Sequence, residues 1–244
     1  MATIRCEQRT FENIQAVLFD KDGTIANVEN YLRKLGELRS QLVAAQVPGT
    51  QADLLSTFGL HQDRIDAAGL LAVGSREQNE VAAAAYVAAT GIGWIAALGL
   101  VATAFEQAKG MLPRKVTQTP LLPGVVRLIR QLNAVGVVLG IVSSDTHLQV
   151  AAFVEHYALT EISWYCGTQP SVLPKTHPDF LPFACKALAV PMTNVLVIGD
   201  SAADLALAQR AGGFVGITGG WQRSPQFSAD IVSVETLSQV EVFH

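Results

Sequence analysis

The sequence predicts an α/β protein whose core is a doubly wound parallel sheet, with an all-helical domain inserted into it. Continuous apolar runs, such as 16–19 and 137–142, indicate strands that are buried on both faces. Helical patterns alternate with such runs along residues 119–220, and this alternation is typical of a parallel sheet. The helical domain is indicated by residues 27–117, where periodic apolar positions continue without a convincing strand.

The first predicted strand follows residues 1–15, which we expect to be a short lead-in. The strand is the apolar run 16–19, and it ends at two carboxylates, Asp20 and Asp22. Ligands of open α/β sheets bind just beyond the carboxyl ends of the strands. Residues two apart in an extended chain point to the same side, so both carboxylates are predicted to face one site. Gly23 permits the sharp turn that follows.

A hairpin turn and a calcium loop are two other interpretations of this acidic turn. An Asp-Gly pair after a strand is common in hairpins. A calcium loop requires Gly at its sixth position and Glu at its twelfth. Counted from Asp20, these positions are Ile25 and Tyr31, so the spacing excludes the calcium loop.

The inserted helical domain is predicted to span 27–117, which assigns 1–26 and 118–244 to the α/β core. Its helices are predicted at 27–46, 50–58, 61–72, 76–90 and 93–109, with glycines between the later ones. No charged residue occurs from Val81 to Phe105, so a membrane span is an alternative. The stretch is rich in Ala and Gly and is interrupted at 91–93, which favours two closely packed helices. The segment 91–94 is a candidate contact with substrate.

The second half of the chain carries the remaining strand–helix alternation. Helices are predicted at 125–135, 146–158, 178–189 and 202–211, and strands at 137–142, 162–166, 194–198, 214–217 and 231–232. These elements complete the predicted sheet and cover its two faces.

Composition excludes several classes of protein. Of the 244 residues, 50% are hydrophobic and 16% are charged, which argues against disorder. The formal net charge of −4 argues against a nucleic-acid partner. The three cysteines are widely spaced and fit neither a disulfide framework nor a zinc site. No secretory signal is visible, and a cytoplasmic location without a membrane partner is expected.

Polar residues at four predicted strand ends match the requirements of phosphate monoester hydrolysis. They are Asp20 and Asp22, Ser143 and Ser144, Lys175, and the segment 199–204 with Asp200 and Asp204. A carboxylate can attack the phosphoryl group, and a second carboxyl can protonate the leaving oxygen. Mg²⁺ suits a site of carboxylate and carbonyl oxygens, and a lysine and hydroxyl groups can bind the remaining phosphoryl oxygens.

These motifs resemble, in order, the four motifs of the haloacid dehalogenase-like (HAD) superfamily. The segment 19–24 resembles the first motif of the phosphatase members, and Ser143 resembles the second. Lys175 with 177–179 is similar to the third motif of the phosphoglycolate-phosphatase-like members, and 199–204 is similar to the fourth. The resemblance covers about 12–26 and 119–220, and the insertion lies where the family has a helical C1-type cap.

The chemistry and the resemblance together imply a role for each residue. Asp20 would be the nucleophile and a Mg²⁺ ligand. Asp22 would be the general acid and base, with its backbone carbonyl on the metal. The remaining roles are phosphate binding for Ser143, the Ser144 amide and Lys175, metal binding for Asp200, and support of these groups by Thr24 and Asp204, with Asp204 orienting Lys175.

The resemblance implies a Mg²⁺-dependent phosphatase that acts on a small phosphorylated metabolite, with phosphoglycolate the first ester to test. The second carboxyl, at Asp22, argues against the dehalogenase branch. A β-phosphoglucomutase-like mutase, an inorganic pyrophosphatase and a catalytically silent binding module are the alternatives. Two positions depart from the family pattern: Lys21 replaces an apolar residue, and 143–145 is Ser-Ser-Asp where relatives often have Thr-Asn-Lys. The second departure weakens the transfer of any particular substrate.

Overall fold

The computed structural model describes residues 2–62 and 64–243. The chain divides into two compact units, one made of residues up to Asn27 and from Pro120 onward, the other of Val28–Thr119. The strands are β1 Ala2–Cys6, β2 Arg9–Ile14, β3 Ala16–Asp20, β4 Leu60–His61, β5 Arg64–Ile65, β6 Val138–Thr146, β7 Ile162–Thr168, β8 Val195–Gly199, β9 Gly213–Ile217, β10 Ser233–Val234 and β11 Val240–Phe243. The α-helices are α1 Glu29–Gln46, α2 Gln51–Thr57, α3 Leu70–Val73, α4 Arg76–Ala89, α5 Trp94–Met111, α6 Val125–Ala134, α7 His147–His156, α8 Phe180–Leu188 and α9 Ala202–Leu207.

The first unit is built around a six-stranded sheet in the order β10-β9-β8-β3-β6-β7. All its strand pairs are parallel, which confirms the predicted doubly wound sheet. All five residues of β3 are buried, because β3 lies between β6 and β8. From β3 the strand order runs to β6 on one side and to β8 on the other. The carboxyl end of β3 is therefore the switch point where ligands of such sheets bind.

Helices of the first unit bury apolar stripes against this sheet. In α6, for example, Leu128, Ile129 and Leu132 recur at helical spacing and are all buried. In α8, Leu181 and Ala184 join a core cluster with Leu18 of β3 and with strand β8. This packing fixes the strands whose ends carry the predicted site residues.

The lead-in predicted for residues 1–15 is wrong, because two strands occupy it. β1 and β2 form an antiparallel three-stranded sheet with β11 at the far end of the chain. In β1 the residues Ala2, Ile4 and Cys6 are buried and alternate with more exposed ones, as expected of a strand with one covered face. The last predicted strand, 231–232, is also displaced, since β10 begins at Ser233.

The second unit is helical, and α1, α2, α4 and α5 confirm the predicted helices. The uncharged stretch forms the packed pair α4 and α5, with Ala84 and Val101 among its fully buried residues. No helix within residues 2–62 and 64–243 is long and apolar enough to cross a membrane.

The helix predicted at 61–72 is wrong. A β4–β5 hairpin and the short α3 replace it, and Asp63, which lies within that prediction, is outside the described residues. The Asp66 side chain accepts a 2.9 Å hydrogen bond from the backbone N–H of Ala68. Such local side-chain bonds compete with the helical ladder. Gly59, at φ +78°, also turns the chain just before the hairpin.

Candidate active site

The predicted site residues lie at the carboxyl edge of β3, β6 and β8. Asp20 is the last residue of β3 and pairs in register with Val142 of β6, so Ser143 follows at the same edge. Phe19 pairs with Ile198 of β8, which places the segment beginning at Gly199 beside Asp20. Parallel strands thus bring three sequence-distant motifs to one edge of the sheet.

A tight turn after β3 fixes the acidic motif. The Lys21 carbonyl accepts hydrogen bonds from the backbone N–H groups of Ile25 and Ala26, at 3.0 and 2.9 Å. Gly23 has a φ of +87°, a conformation that side-chain-bearing residues rarely adopt. A Cβ there would overlap Asp200 Oδ2 and the Trp221 ring, so the turn also requires glycine for space.

Three buried carboxylates form the centre of the site. Asp20, Asp200 and Asp204 each offer one oxygen, and these oxygens lie within 4.8 Å of one another. Burial, followed by the charge of Asp204, raises the pKa of Asp200 to about 7. Burial also raises the pKa of Asp20 well above its usual range; Lys175 opposes this rise, and Asp204 and Asp200 add to it. The cluster therefore favours cations strongly.

Lys175 is the cation that the structure places against this cluster. Its Nζ donates to Asp20 Oδ1 at 2.7 Å and to Asp204 Oδ1 at 2.9 Å. Burial disfavours the charged lysine, but the charges of Asp20 and Asp204 outweigh burial and raise its pKa above the usual value. Lys175 is in the loop between β7 and α8, so a fourth region of the chain reaches the same edge.

The start of α9 positions Asp204. Ser201 is the N-cap residue, and its backbone N–H donates to Asp204 Oδ2 at 3.1 Å, which completes a capping box. A Cβ at Gly199 would overlap the Asp204 side chain, so glycine allows this close packing. Thr24 supports the neighbouring carboxylate by donating to Asp200 Oδ1 at 3.0 Å.

Trp221 is a site residue that the sequence analysis missed. Its Nε1 donates to Asp200 Oδ2 at 2.6 Å, and the side chain is buried. The preceding glycine allows this approach, because a Cβ at Gly220 would overlap the Gly23 carbonyl oxygen. The available signal was the Gly-Gly-Trp sequence at 219–221, which begins two residues after the end of the predicted strand 214–217.

Ser143 and Ser144, the two residues predicted to bind phosphate, follow the apolar residues 138–142 of β6. Ser143 is buried, and its Oγ accepts a 3.1 Å hydrogen bond from the backbone N–H of Asp145. Ser144 is half-buried beside it. Both therefore lie at the edge to which Asp20 belongs.

The sequence analysis expected Lys21 only to add charge near the site, but the structure shows it buried and paired with two carboxylates. Its side chain is only 2% exposed, and its Nζ forms ion pairs with Asp22 and, at 3.2 Å, with Asp145 Oδ2. The same Nζ lies 5.5 Å from the centre of the Phe153 ring of α7. The Asp22 carboxylate is 14% exposed and is the most accessible of the candidate catalytic carboxyl groups.

Comparison with known proteins identifies the family. The family model of the haloacid dehalogenase-like hydrolases matches residues 14–212, most of the chain. The chain belongs to this family. This HAD chain is 28% identical over 124 residues to IndB of Dickeya dadantii (strain 3937), described as a probable phosphatase. That match covers 49% of this chain and 54% of IndB, so it spans only about half of the relative.

Solved structures share the fold of this HAD chain at low identity. A protein described as a predicted phosphoglycolate phosphatase, from Haemophilus somnus 129pt, has a TM-score of 0.68 at 19% identity, covering 93% of this chain and 96% of its own. A subfamily IA HAD hydrolase from Geobacter sulfurreducens PCA has a TM-score of 0.58 at 18% identity, covering 92% and 93%. CbbY from Rhodobacter sphaeroides, in complex with phosphate, has a TM-score of 0.56 at 18% identity, covering 92% and 95%.

The donor set at the carboxylate cluster fits a divalent metal ion. Hard cations such as Mg²⁺ take oxygen ligands, and the cluster offers three buried carboxylates. With all three carboxyl groups ionised and Lys175 protonated, the four side chains would carry a net charge of −2 in a buried site. A divalent cation would balance that charge.

Proposed function

We propose that this chain is a phosphatase that hydrolyses a small phosphorylated metabolite through a phosphorylated Asp20. The observation that carries the proposal is the buried Lys175 ammonium, which lies 2.7 Å from Asp20 Oδ1 and 2.9 Å from Asp204 Oδ1. A carboxylate nucleophile must stay ionised despite its burial, and this lysine opposes the rise in the pKa of Asp20.

The first chemical step uses Asp20 and Asp22. An Asp20 carboxylate oxygen attacks the phosphorus, the bond from phosphorus to the ester oxygen breaks, and Asp22 gives its proton to the departing oxygen. The accessible position of Asp22, 14% exposed beside the buried Asp20, supports this division of roles.

The second step releases phosphate. A water molecule attacks the phosphorus of the aspartyl phosphate, Asp22 takes the proton of that water, and the bond from phosphorus to Asp20 breaks. Asp20 returns as a carboxylate, and inorganic phosphate leaves. Asp22 is again protonated, so the cycle closes without a further reactant.

Three groups are proposed to bind the phosphoryl oxygens. An ammonium has three N–H donors, and Lys175 directs two of them to Asp20 and Asp204. The third can donate to a phosphoryl oxygen. The Ser143 hydroxyl and the backbone N–H of Ser144 follow at the same edge of the sheet, as expected for groups that stabilise charge on phosphoryl oxygens.

Mg²⁺ is the proposed metal, held by the carboxylates of Asp20 and Asp200 and by the backbone carbonyl of Asp22. When bound, Mg²⁺ supplies positive charge to the phosphoryl oxygens. Thr24 and Trp221 fix both oxygens of Asp200 by hydrogen bonds, and Asp204 orients Lys175. These contacts hold the ligands and the lysine in one arrangement.

Phosphoglycolate is the first ester to test. The solved structure from Haemophilus somnus, described as a predicted phosphoglycolate phosphatase, shares the fold along 93% of this chain. The motif at Lys175 is similar to that of the same branch. Residues 143–145 of this chain are Ser-Ser-Asp, where relatives often have Thr-Asn-Lys. Other small phosphate esters are therefore tested beside phosphoglycolate.

The test is phosphate release across a broad panel of phosphorylated metabolites, with Mg²⁺ and with EDTA. Wild type is compared with Asp20→Asn and with Asp53→Asn, an exposed aspartate of α2 that serves as the control. We expect metal-dependent turnover in wild type and in Asp53→Asn, and none in Asp20→Asn. Absence of turnover of every ester by wild type would contradict the proposal, as would full activity in Asp20→Asn. Pyrophosphate, and β-glucose 1-phosphate assayed for glucose 6-phosphate, test the two other enzymatic alternatives.

A further inference from the structure

We infer that Lys21 is a positioning residue that aims the Asp22 carboxylate at the leaving group, and that Asp145 holds Lys21 in place. This inference rests on the proposed function and adds a residue pair to it. It is carried by the buried cluster that these residues form with Phe153.

The Lys21 ammonium is enclosed by the protein. It is 2% exposed, it pairs with Asp22 and Asp145, and it lies 5.5 Å from the centre of the Phe153 ring. A buried charge is stable only when it is paired in this way. Since its partners belong to three separate elements, the ammonium is held from several sides. We therefore assign it to positioning within the protein rather than to binding substrate.

Asp145 is itself fixed by the backbone. Its Oδ1 accepts a 3.0 Å hydrogen bond from the N–H of Thr146, and its Oδ2 lies 3.2 Å from Lys21 Nζ. Its own N–H donates to Ser143 Oγ at 3.1 Å. Asp145 thus links the proposed phosphate-binding Ser143 to the lysine that contacts Asp22.

Lys21 and Asp145 also belong to the two departures from the family pattern noted in the sequence, which are position 21 and the segment 143–145. Lys21 stands where an apolar residue is commoner, and Asp145 stands where relatives often have lysine. In the structure the departures compensate each other, because the charges form an ion pair. The negative charge of Asp145 therefore offsets part of the buried positive charge of Lys21.

The consequence for catalysis is geometric. A general acid acts only when its oxygen lies within hydrogen-bonding reach of the leaving oxygen. Lys21 fixes one oxygen of Asp22, which also fixes the direction of the other. Removing the ammonium would let the carboxyl adopt other rotamers, and small displacements of a catalytic group are costly.

The experiment compares substrates whose leaving groups differ in their need for protonation. Alkyl phosphates have poor leaving groups that require a general acid, whereas p-nitrophenyl phosphate has a good one. The value compared is kcat/KM, which includes the step in which the leaving group departs. The main variant is the double replacement Lys21→Met with Asp145→Asn, which removes one positive and one negative charge together.

We expect the double variant to lose about 30-fold in kcat/KM for the alkyl ester and less than about 3-fold for p-nitrophenyl phosphate. Lys21→Met alone should melt at a lower temperature than the double variant, because it leaves two carboxylates without their shared cation. Asp145→Asn alone, a nearly isosteric change, should show a smaller loss with the same dependence on the leaving group. The control is Arg5→Met with Glu241→Gln, which removes an exposed ion pair. It should leave kcat/KM unchanged for the alkyl ester and for p-nitrophenyl phosphate.

Equal losses with the two esters, or no loss, would overturn the positioning role while leaving the phosphatase proposal intact. If the double variant does not fold, Asp145→Asn alone decides between these outcomes. Absence of hydrolysis of every ester by wild type would overturn the proposed function, and the positioning role with it.

Discussion

Asp200 illustrates how single residues control the charge of the site. Each of its carboxylate oxygens accepts a hydrogen bond, from Thr24 Oγ1 at 3.0 Å and from Trp221 Nε1 at 2.6 Å. Both bonds favour the ionised form and oppose the burial that raises the pKa of Asp200 to about 7. The two donors therefore prepare this carboxylate for a cation.

Trp221→Phe is expected to weaken Mg²⁺ binding about 10-fold, because it removes one of these donors and keeps most of the aromatic bulk. Isothermal titration calorimetry of Mg²⁺ measures this directly and requires no substrate. Trp164→Phe is the control, since Trp164 packs on Phe183 elsewhere in the core. An unchanged Mg²⁺ affinity in Trp221→Phe would show that this hydrogen bond does not prepare the metal site.

The raised pKa values of Asp20 and Asp200 predict how stability depends on pH without metal. Between about pH 4 and pH 7 the Asp200 carboxyl stays protonated in the folded protein but is ionised in the unfolded chain, and the raised pKa of Asp20 acts in the same direction. The native state then binds more protons, so stability falls as pH rises through this interval. In EDTA we expect the Tm of wild type to fall between about pH 4 and pH 7, relative to that of Asp200→Asn.

The test is a thermal melt at several pH values for wild type, Asp200→Asn and the exposed control Asp53→Asn. Asp53→Asn should follow the wild-type curve. A Tm difference between wild type and Asp200→Asn that stays constant, or that changes in favour of wild type as pH rises, would show that the pKa of Asp200 is not raised in the folded protein. Lys175 does not contribute in this interval, because its pKa is raised above an already high value.

The turn after β3 is the element on which the site depends most. It carries Asp20 and Asp22, and it passes so close to Asp200 and Trp221 that Gly23 has no room for a side chain. Its φ of +87° adds a second requirement for glycine. The effect of the positive φ can be measured separately from the effect of the lack of room, because another glycine of the chain has a positive φ but open space around it.

Gly23→Ala is expected to abolish activity and to lower stability by more than the roughly 1 kcal/mol that an αL conformation costs a non-glycine residue. Gly136→Ala is the matched control, since Gly136 has a φ of +78° and a Cβ at this position would have no atom within 4 Å beyond its own residue and its two chain neighbours. It should lose about that 1 kcal/mol and keep its activity. Chemical denaturation and phosphate release measure both effects. Equal losses in the two variants would mean that close packing at Gly23 is unimportant.

Elements defined by local pattern were predictable from the sequence, and those defined by distant partners were not. Strands β3 and β8 and the first part of β6, 138–142, are almost entirely buried and apolar, so the sequence reveals them. β1 alternates apolar and polar residues over five positions, and its partner β11 is at the other end of the chain. The residues of β1 carry no local pattern that predicts its pairing with β11.

The same distinction applies to the candidate site. The carboxylates and Lys175 follow strands or lie in loops that the motif order makes recognisable, and the structure brings Asp20, Lys175 and Asp204 into contact. Trp221 lies in a loop without such a pattern. The partnership of Lys21 with Asp145 joins residues 124 positions apart, so only the folded chain shows it.

At the scale of the whole molecule, the candidate site belongs to one of the two compact units. Its residues come from the ends of separate strands and from the loop at Lys175, and all lie before Asn27 or after Pro120. The helical unit, Val28–Thr119, separates β3 from β6 in the sequence, but it contributes no strand to the six-stranded sheet. The expected contact of 91–94 with substrate stays a prediction.

The central claim is that Asp20 becomes phosphorylated during turnover. The most direct measurement quenches the enzyme with borohydride while it hydrolyses an ester, which reduces an aspartyl phosphate to homoserine, and locates that residue by peptide mass spectrometry. Asp20→Asn and an ester-free sample are the controls. We predict homoserine at position 20 in wild type alone. Ester hydrolysis with position 20 unmodified, or with the modification at another aspartate, would contradict the account.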